Sequence, residues 1–344
     1  MSGGSTVFTC SWRCAPRLTI DRPMADFSPT DEAAQLLETK PHSVRAHVLL
    51  GEQHAAKGND QDSAYYFRRA LHLAEQQDLA DEDVARARDA LAVIEARMAA
   101  SREARLTGRG VPSSKRSPRL AEALDLAAGR RRLYRQEPTA FTYPGLPSVQ
   151  FFDPAQFEWV AGIEAAAPAI RNELDALLAA GSDDFRAYVQ HETVTPEANK
   201  ALLGKKDWSI LPLCENGWLM PSVIEECPVT WEAVLKLPVP RISGWGPTIV
   251  FSLLKAGAHI AAHNGMFNTR LVCHLPLIVP AGCRFRVGNE VREWEEGKLM
   301  IFDDTIEHEA WNHSGEDRVV LIFDVWRPEL SERERFELTA LFSD

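Results

Sequence analysis

The stretch from His263 to Trp326 reads HNGMFNTRLVCHLPLIVPAGCRFRVGNEVREWEEGKLMIFDDTIEHEAWNHSGEDRVVLIFDVW. Short apolar runs alternate in it with turn signals. Gly282, Gly288 and Gly297 punctuate the runs, and Glu296-Gly297-Lys298 reads as a turn. The pattern predicts strands over Asn268–Ile278, Cys283–Val287, Glu290–Trp294, Lys298–Phe302 and Arg318–Trp326, with one more upstream at Pro247–Leu254. Strands at this spacing predict a double-sheet jelly roll or a barrel. In RLVCHLPL, alternation sets Arg270, Val272 and His274 on one face and Leu271, Cys273 and Leu275 on the other. Two polar groups on one face of an otherwise apolar strand indicate a lined pocket.

The same stretch carries candidate chemistry. His263 ends HIAAH after a turn at Gly257, and His308 lies in FDDTIEHEAW at the start of a late strand. Taken singly, each is an ordinary core or surface histidine. Taken together, near two strand ends of one jelly roll, they can converge on one metal. Neutral imidazoles suit borderline ions such as Fe(II) or Zn(II). The usual iron facial triad adds a carboxylate two residues after its first histidine, where this chain has Gly265. Arg318 opens the apolar run VVLIFDVW, and a guanidinium there is costly to bury unpaired. Its partner is either Asp324 of the same strand or a dicarboxylate ligand held bidentately. Ser252 can add a hydroxyl to that carboxylate. His274 is a third metal ligand or, with better spacing, a second anchor for a cosubstrate. Asp303 and Asp304 are expected to shape the turn before His308, with one of them in reach of substrate. Trp294, Trp311 and Trp326 read as core, and His259 and His313 as surface groups.

The 344 residues suffice for two domains, and 45% hydrophobic content supports a sizeable core. A net charge of −11 argues against general nucleic-acid binding. No apolar run reaches the roughly 18–20 residues that span a bilayer. Six scattered cysteines (Cys10, Cys14, Cys214, Cys227, Cys273, Cys283) make no disulfide framework and fit a reducing cytoplasm. Residues 1–28 read as a disordered leader, with 1–23 an over-extended start ahead of Met24. Residues 29–106 read as helical. Leu50-Gly51, Gly58, Ser63, Phe67 and Ala70 fall where a tetratricopeptide helix pair wants its packing and turn residues, while His47 and His54 stand at its tryptophan and tyrosine positions. A third helix is expected near Glu82–Leu106, then a linker and helix over 107–142, with Arg130, Arg131, Arg132 and Arg135 as a solvated basic helix end. Two helices, near Pro154–Ile163 and Ala166–Ala180, precede the strands of a domain spanning 143–344.

Over about Tyr143–Leu330, and densely from His263, the chain resembles the aspartyl/asparaginyl β-hydroxylase family of Fe(II)/2-oxoglutarate oxygenases. The resemblance rests on HNG, NTRLVCHL, WEEGK, DDTIEHEAW and DVWRPEL, met in that order. It implies an α+β chain: a double-stranded β-helix (jelly-roll, cupin-like) catalytic domain, here behind a small all-α tetratricopeptide-like domain. It implies iron held by His263 and His308 alone, with 2-oxoglutarate and O2 as cosubstrates. It implies that Arg318 and Ser252 hold the distal carboxylate of 2-oxoglutarate and that His274 and Trp208 contact it nearer the metal. Arg270 is kept, but the second basic residue that the family often has two positions later is Val272 here, which puts that contact in doubt.

The resemblance predicts hydroxylation of an Asp/Asn-like residue of a peptide or protein, with the N-terminal helices as a meeting point for a protein partner. The same chemistry on a lipid acyl chain or a small amino-acid derivative is the alternative. Halogenation would need chloride beside Gly265. A non-catalytic scaffold on a dead jelly roll, or a plain zinc cupin, is the reading from other classes. The intact His263, His308 and Arg318 weigh against both.

Overall fold

The computed structural model describes residues 31–181, 185–190 and 197–343. The expected leader at 1–28, with Cys10 and Cys14, lies outside them. Contacts divide the chain into two units, Met1–Ala128 and Gly129–Asp344.

In the first unit, α1 (Asp31–Thr39), α2 (Val44–Ala56), α3 (Asp60–Gln76), α4 (Glu82–Gly108) and α5 (Pro118–Ala127) follow one another. Ser43, Asn59, Asp81 and Ser117 start the last four by accepting a backbone N–H of the first turn. The turn between α2 and α3 uses Gly58 at φ 69°, a left-handed conformation suited to glycine. Phe67 lies flat on Gly51, where a Cβ would stand 2.7 Å from its ring. Ser63 donates to the Gly51 carbonyl at 2.7 Å. Of the residues singled out for helix-pair packing, Gly51, Ser63 and Phe67 thus meet in one contact, and His54 stacks on Tyr66. Val48, Ala64, Phe67, Ala70, Leu73 and Ala87 form the core of this unit.

The second unit contains β1 (Phe151–Phe152), α6 (Val160–Ala179), β2 (Arg186–Ala187), β3 (Trp208–Glu215), β4 (Trp218–Leu219), α7 (Pro221–Glu226) and α8 (Pro228–Leu235). There follow β5 (Ile249–Leu254), β6 (His259–His263), β7 (Arg270–Ile278), β8 (Cys283–Val287), β9 (Glu290–Glu293), β10 (Met300–Phe302), β11 (His308–Asn312), β12 (Arg318–Trp326) and α9 (Glu332–Phe342). The larger sheet runs β1-β10-β7-β12-β5-β3-β2 with β4 on β3, and the smaller runs β6-β11-β8-β9. From β5 onward the chain thus crosses repeatedly between the two sheets, and all the pairings are antiparallel. That winding is a double-stranded β-helix, the jelly-roll fold expected.

Two helices were expected before the strands. The structure has a short 3₁₀ turn at Pro154–Gln156 and one long helix, α6, with Pro168 inside it. Proline costs such a helix about 3 kcal/mol. The buried face of Val160, Ile163, Ala167, Ile170, Leu174 and Leu177 packs into the main core and outweighs that loss. Strand β6 was not marked in advance, because HIAAH is short and alanine is a poor strand former.

Alternation along the strands then sorts the residues. Leu211, Leu213, Phe251, Leu253, Leu271, Cys273, Leu275, Leu321 and Phe323 enter the core with α6 and α8. Trp208, Ile210, Ser252, Arg270, Val272, His274, Arg318 and Ile322 line a cavity together with residues of the smaller sheet. The segment 129–142, the end of the stretch 107–142 expected as linker and helix, belongs to this second unit and hydrogen-bonds along it.

Candidate functional site

His263 and His308 are register partners on β6 and β11, and their ring centroids lie 4.1 Å apart. Each Nδ1 is tied to a backbone carbonyl two residues earlier, Ala261 O at 2.8 Å and Ile306 O at 3.1 Å. A carbonyl only accepts, so each Nδ1 carries the proton and each Nε2 presents a lone pair. Burial holds both rings neutral: it lowers the pKa of His263, and lowers that of His308 further, with His263 adding to the effect. Neutral, oriented imidazoles fit a borderline divalent metal. Among the described residues no group of three or more His, Cys, Asp or Glu is placed to hold a metal ion.

Gly265, the vacant position of the facial triad, is filled from elsewhere. A Cβ at Gly265 would lie 2.0 Å from Asp304 Oδ2. The Asp304 carboxyl occupies the space a side chain would enter, and its Oδ1 is buried without a hydrogen-bond partner among the described residues. An anion bound beside Gly265 would meet this acid, which removes the basis of the halide reading. Sequence reasoning set Asp303 and Asp304 in the turn before His308, with one of them in reach of substrate, but did not say which of the two faces the cavity.

Burial raises the Asp304 carboxyl to about 7, with Arg270 pulling the other way. A carboxyl raised in the folded state ionises first in the unfolded chain. Its cost to folding therefore grows as pH climbs from about 4 and is complete above about 7. Asp304→Asn is expected to raise the melting temperature of the metal-free protein at pH 8, by at most on the order of 4 kcal/mol of stability. Near pH 4 the gain should vanish. Equal shifts at both pH values in calorimetry would show that ionisation is not the cause.

Arg318 sits in the same cavity, 1% exposed, with Nε and Nη1 lacking any hydrogen-bond partner among the described residues. Asp324 is not its partner. The two lie six residues apart along β12, roughly 20 Å at strand rise. Asp324 instead accepts from Arg270 Nη1 at 2.8 Å and from the Thr248 N–H at 2.6 Å. Burial lowers the Arg318 pKa to about 10, which still leaves it charged at neutral pH. Its guanidinium lies over the Trp294 ring, 4.7 Å from the centroid, so this tryptophan is a cation platform as well as core. Trp208 donates to Ser252 Oγ at 3.2 Å, which leaves the serine hydroxyl hydrogen free for an acceptor in the cavity. His274 is buried beside these groups with Nδ1 unpartnered, and burial, then Arg318, hold it neutral. Tyr188, not anticipated, stacks on Trp208 at 4.0 Å and lines the outer cavity.

Arg270 keeps its charge because Asp324, Asp304 and the hydrogen bond outweigh the penalty of burial. Asp324 takes only Nη1, and among the described residues neither Nε nor Nη2 has a hydrogen-bond partner. The cavity measures about 280 Å³ and joins all seven residues named from sequence: Trp208, Ser252, His263, Arg270, His274, His308 and Arg318.

Fold and cavity define a double-stranded β-helix protein with two histidines facing one cavity and, beside them, a buried arginine with two nitrogens unpartnered among the described residues. A sequence model described as aspartyl/asparaginyl beta-hydroxylase matches residues 164–328. The chain is 37% identical over 204 residues to the ornithine lipid ester-linked acyl 2-hydroxylase of Rhizobium tropici, covering 58% of this chain and 68% of that one. It is 38% identical over 138 residues to human aspartyl/asparaginyl beta-hydroxylase, covering 40% of this chain and 18% of that one. To human aspartate beta-hydroxylase domain-containing protein 2 it is 31% identical over 212 residues, 60% of this chain and 55% of that one. Against the two human relatives the chain thus spans about a fifth and about half of their lengths. The chain belongs to the aspartyl/asparaginyl beta-hydroxylase family.

Proposed function

We propose that the sheet unit is an Fe(II)/2-oxoglutarate-dependent hydroxylase acting on an Asp- or Asn-like residue of a peptide or protein. The observation that carries this is Arg318: a buried guanidinium with two unpartnered nitrogens in the cavity that holds the two histidines. An unpaired buried cation is costly, and a dicarboxylate is the ligand whose charge and shape relieve it.

In this reading His263 and His308 would hold Fe(II), which with 2-oxoglutarate supplies the oxidising equivalent drawn from O2. Arg318 and Ser252 grip the distal carboxylate, and Trp294 supports the guanidinium from beneath. His274 and Trp208 bound the cosubstrate nearer the metal, with His274 neutral so that it can donate from one ring nitrogen. Ile260, Val272, Phe285 and Phe302 line the cavity and exclude water from the reacting centre. Arg270 offers its Nε–Nη2 edge to the carboxylate or amide of the substrate side chain, while Asp324 steadies its other arm. Asp304 faces the space beside Gly265, where it can orient a water or a substrate N–H.

A lipid acyl chain or a small amino-acid derivative is the second reading. Val272 and Ile210 in the cavity wall and the exposed Met266 at its lining favour it, as does the lipid-acting relative from Rhizobium tropici. The helical unit, read as one degenerate tetratricopeptide pair, would bring in a protein substrate or partner. No helix among the described residues is long and apolar enough to cross a membrane. The four cysteines among the described residues (Cys214, Cys227, Cys273, Cys283) are free and buried, which fits a reducing, cytoplasmic setting.

Anaerobic titration of the purified protein with Fe(II) and 2-oxoglutarate tests the core of the proposal. The expected result is a visible charge-transfer band, followed in air by succinate formation stimulated by Asp- or Asn-containing peptides. Stimulation by acyl lipids alone would select the second reading. A folded protein without any band would remove the oxygenase assignment.

A further inference from the structure

Segment 136–141 is bonded to both loops that carry the histidines. The Glu137 N–H donates to Thr305 O at 2.8 Å and the Thr139 N–H to Gly265 O at 2.9 Å. The Ala140 and Phe141 N–H groups donate to Met266 O at 3.1 and 3.0 Å. Gly265 and Met266 lie two and three residues after the end of the His263 strand, and Thr305 lies three residues before the start of the His308 strand. Gln136 is the side-chain hub. Its Nε2 donates to Asp303 Oδ2 at 2.6 Å and its Oε1 accepts from Asn268 Nδ2 at 3.0 Å. Asp303 is fixed in turn by Arg327 Nη1 at 2.7 Å, both side chains fully buried at 0% exposure, and by the Thr305 N–H at 3.0 Å.

We propose that residues 136–141 are a strap that sets the spacing of the two metal-holding imidazoles, with Gln136 as its positioning residue. This rests on the reading that His263 and His308 bind a metal. Across β6–β11 the register shifts immediately beyond the His308–His263 pair, between His308 and Ala310, so this pair closes the ladder at the site. The two loops also touch directly, through the Gly265 N–H to Asp304 O at 2.7 Å and Asn264 Nδ2 to Thr305 O at 2.9 Å. The strap adds bonds to both sides of that junction. A centre with two protein ligands has no third anchor to absorb an error, and binding geometry tolerates only about 0.5 Å. Groups that orient metal ligands typically carry about 10- to 100-fold in metal affinity.

The test uses the full chain and Co(II) alone, titrated by visible absorption, with the melting temperature of the metal-free protein recorded in parallel. Gln136→Leu removes the hub and leaves Asp303 paired with Arg327. Thr139→Pro removes the N–H donated to Gly265. Thr139→Ser keeps both that N–H and the hydroxyl that donates to the same Gly265 carbonyl at 3.2 Å, and serves as the conservative control. The expected result is Co(II) binding weakened about 10- to 100-fold in the first two variants, with an altered d–d spectrum, and near wild type in the third. Unchanged affinity and spectrum per folded molecule, even with a lower melting temperature, would overturn the proposal and leave the strap a purely structural element. If Thr139→Pro does not fold, Gln136→Leu decides, since it keeps every backbone bond of the strap. Failure of the underlying reading looks different: wild type would not bind Co(II), or His308→Ala would bind it equally well.

Discussion

His308→Ala is expected to abolish metal-dependent turnover while leaving the fold in place. The ring is one of two imidazoles that line the cavity, and the carbonyl bond at its Nδ1 leaves Nε2 as the nitrogen available to a metal. Removing an orienting partner costs a metal site about 10- to 100-fold, so removing half of the protein ligands costs at least the upper end of that range. The ring is buried and neutral, so its loss strands no charge. Metal titration and cosubstrate consumption check this together. Wild-type metal affinity in the variant would sink the two-histidine centre, and activity would have to be sought elsewhere in the cavity.

Arg318→Met should separate stability from function. With no partner for Nε or Nη1 among the described residues, the guanidinium is buried at a cost. Burial depresses its pKa from the usual arginine range to about 10, so the guanidinium stays charged at neutral pH and bears the penalty there. A base depressed in the folded state weakens folding at every pH below about 10, and the penalty is relieved only as pH rises beyond that. Methionine of similar length removes it, and the metal-free protein should gain stability at pH 7, on the order of 3 kcal/mol at most. The cosubstrate requirement should rise roughly 100-fold or more, the usual consequence of losing a buried charged partner. Metal binding without cosubstrate should be unchanged. Thermal unfolding and a 2-oxoglutarate saturation curve check the two halves. A destabilised variant with an unaltered requirement would mean that Arg318 pairs within the protein rather than with a ligand.

Much of this was legible before any coordinates. Period-two alternation placed Arg270, Val272 and His274 on the cavity face and Leu271, Cys273 and Leu275 in the core, as observed. Arg318–Trp326 and Cys283–Val287 are strands with the expected ends. The short, alanine-containing β6 was missed, as was the continuity of α6 through Pro168, where packing overrode a local breaker. Among site residues, Asp304 and Trp294 were read as turn and core. Nothing in a linear pattern tells which way a turn carboxylate faces, or which ring lies under a distant guanidinium.

What the sequence by itself determined is the set of local periods and the unusual residues set within them: two histidines at strand ends, an arginine opening an apolar strand, a glycine where an acid is usual. These follow from steric rules that act over neighbouring residues. What only the tertiary structure decided is pairing. Arg318 lacks Asp324 because Asp324 meets Arg270 across the β7–β12 register, the space beside Gly265 is taken by Asp304, and an apparent linker straps two loops together. Each of these depends on how segments remote in sequence are brought into register, and that is fixed by the whole packed core rather than by any stretch within it.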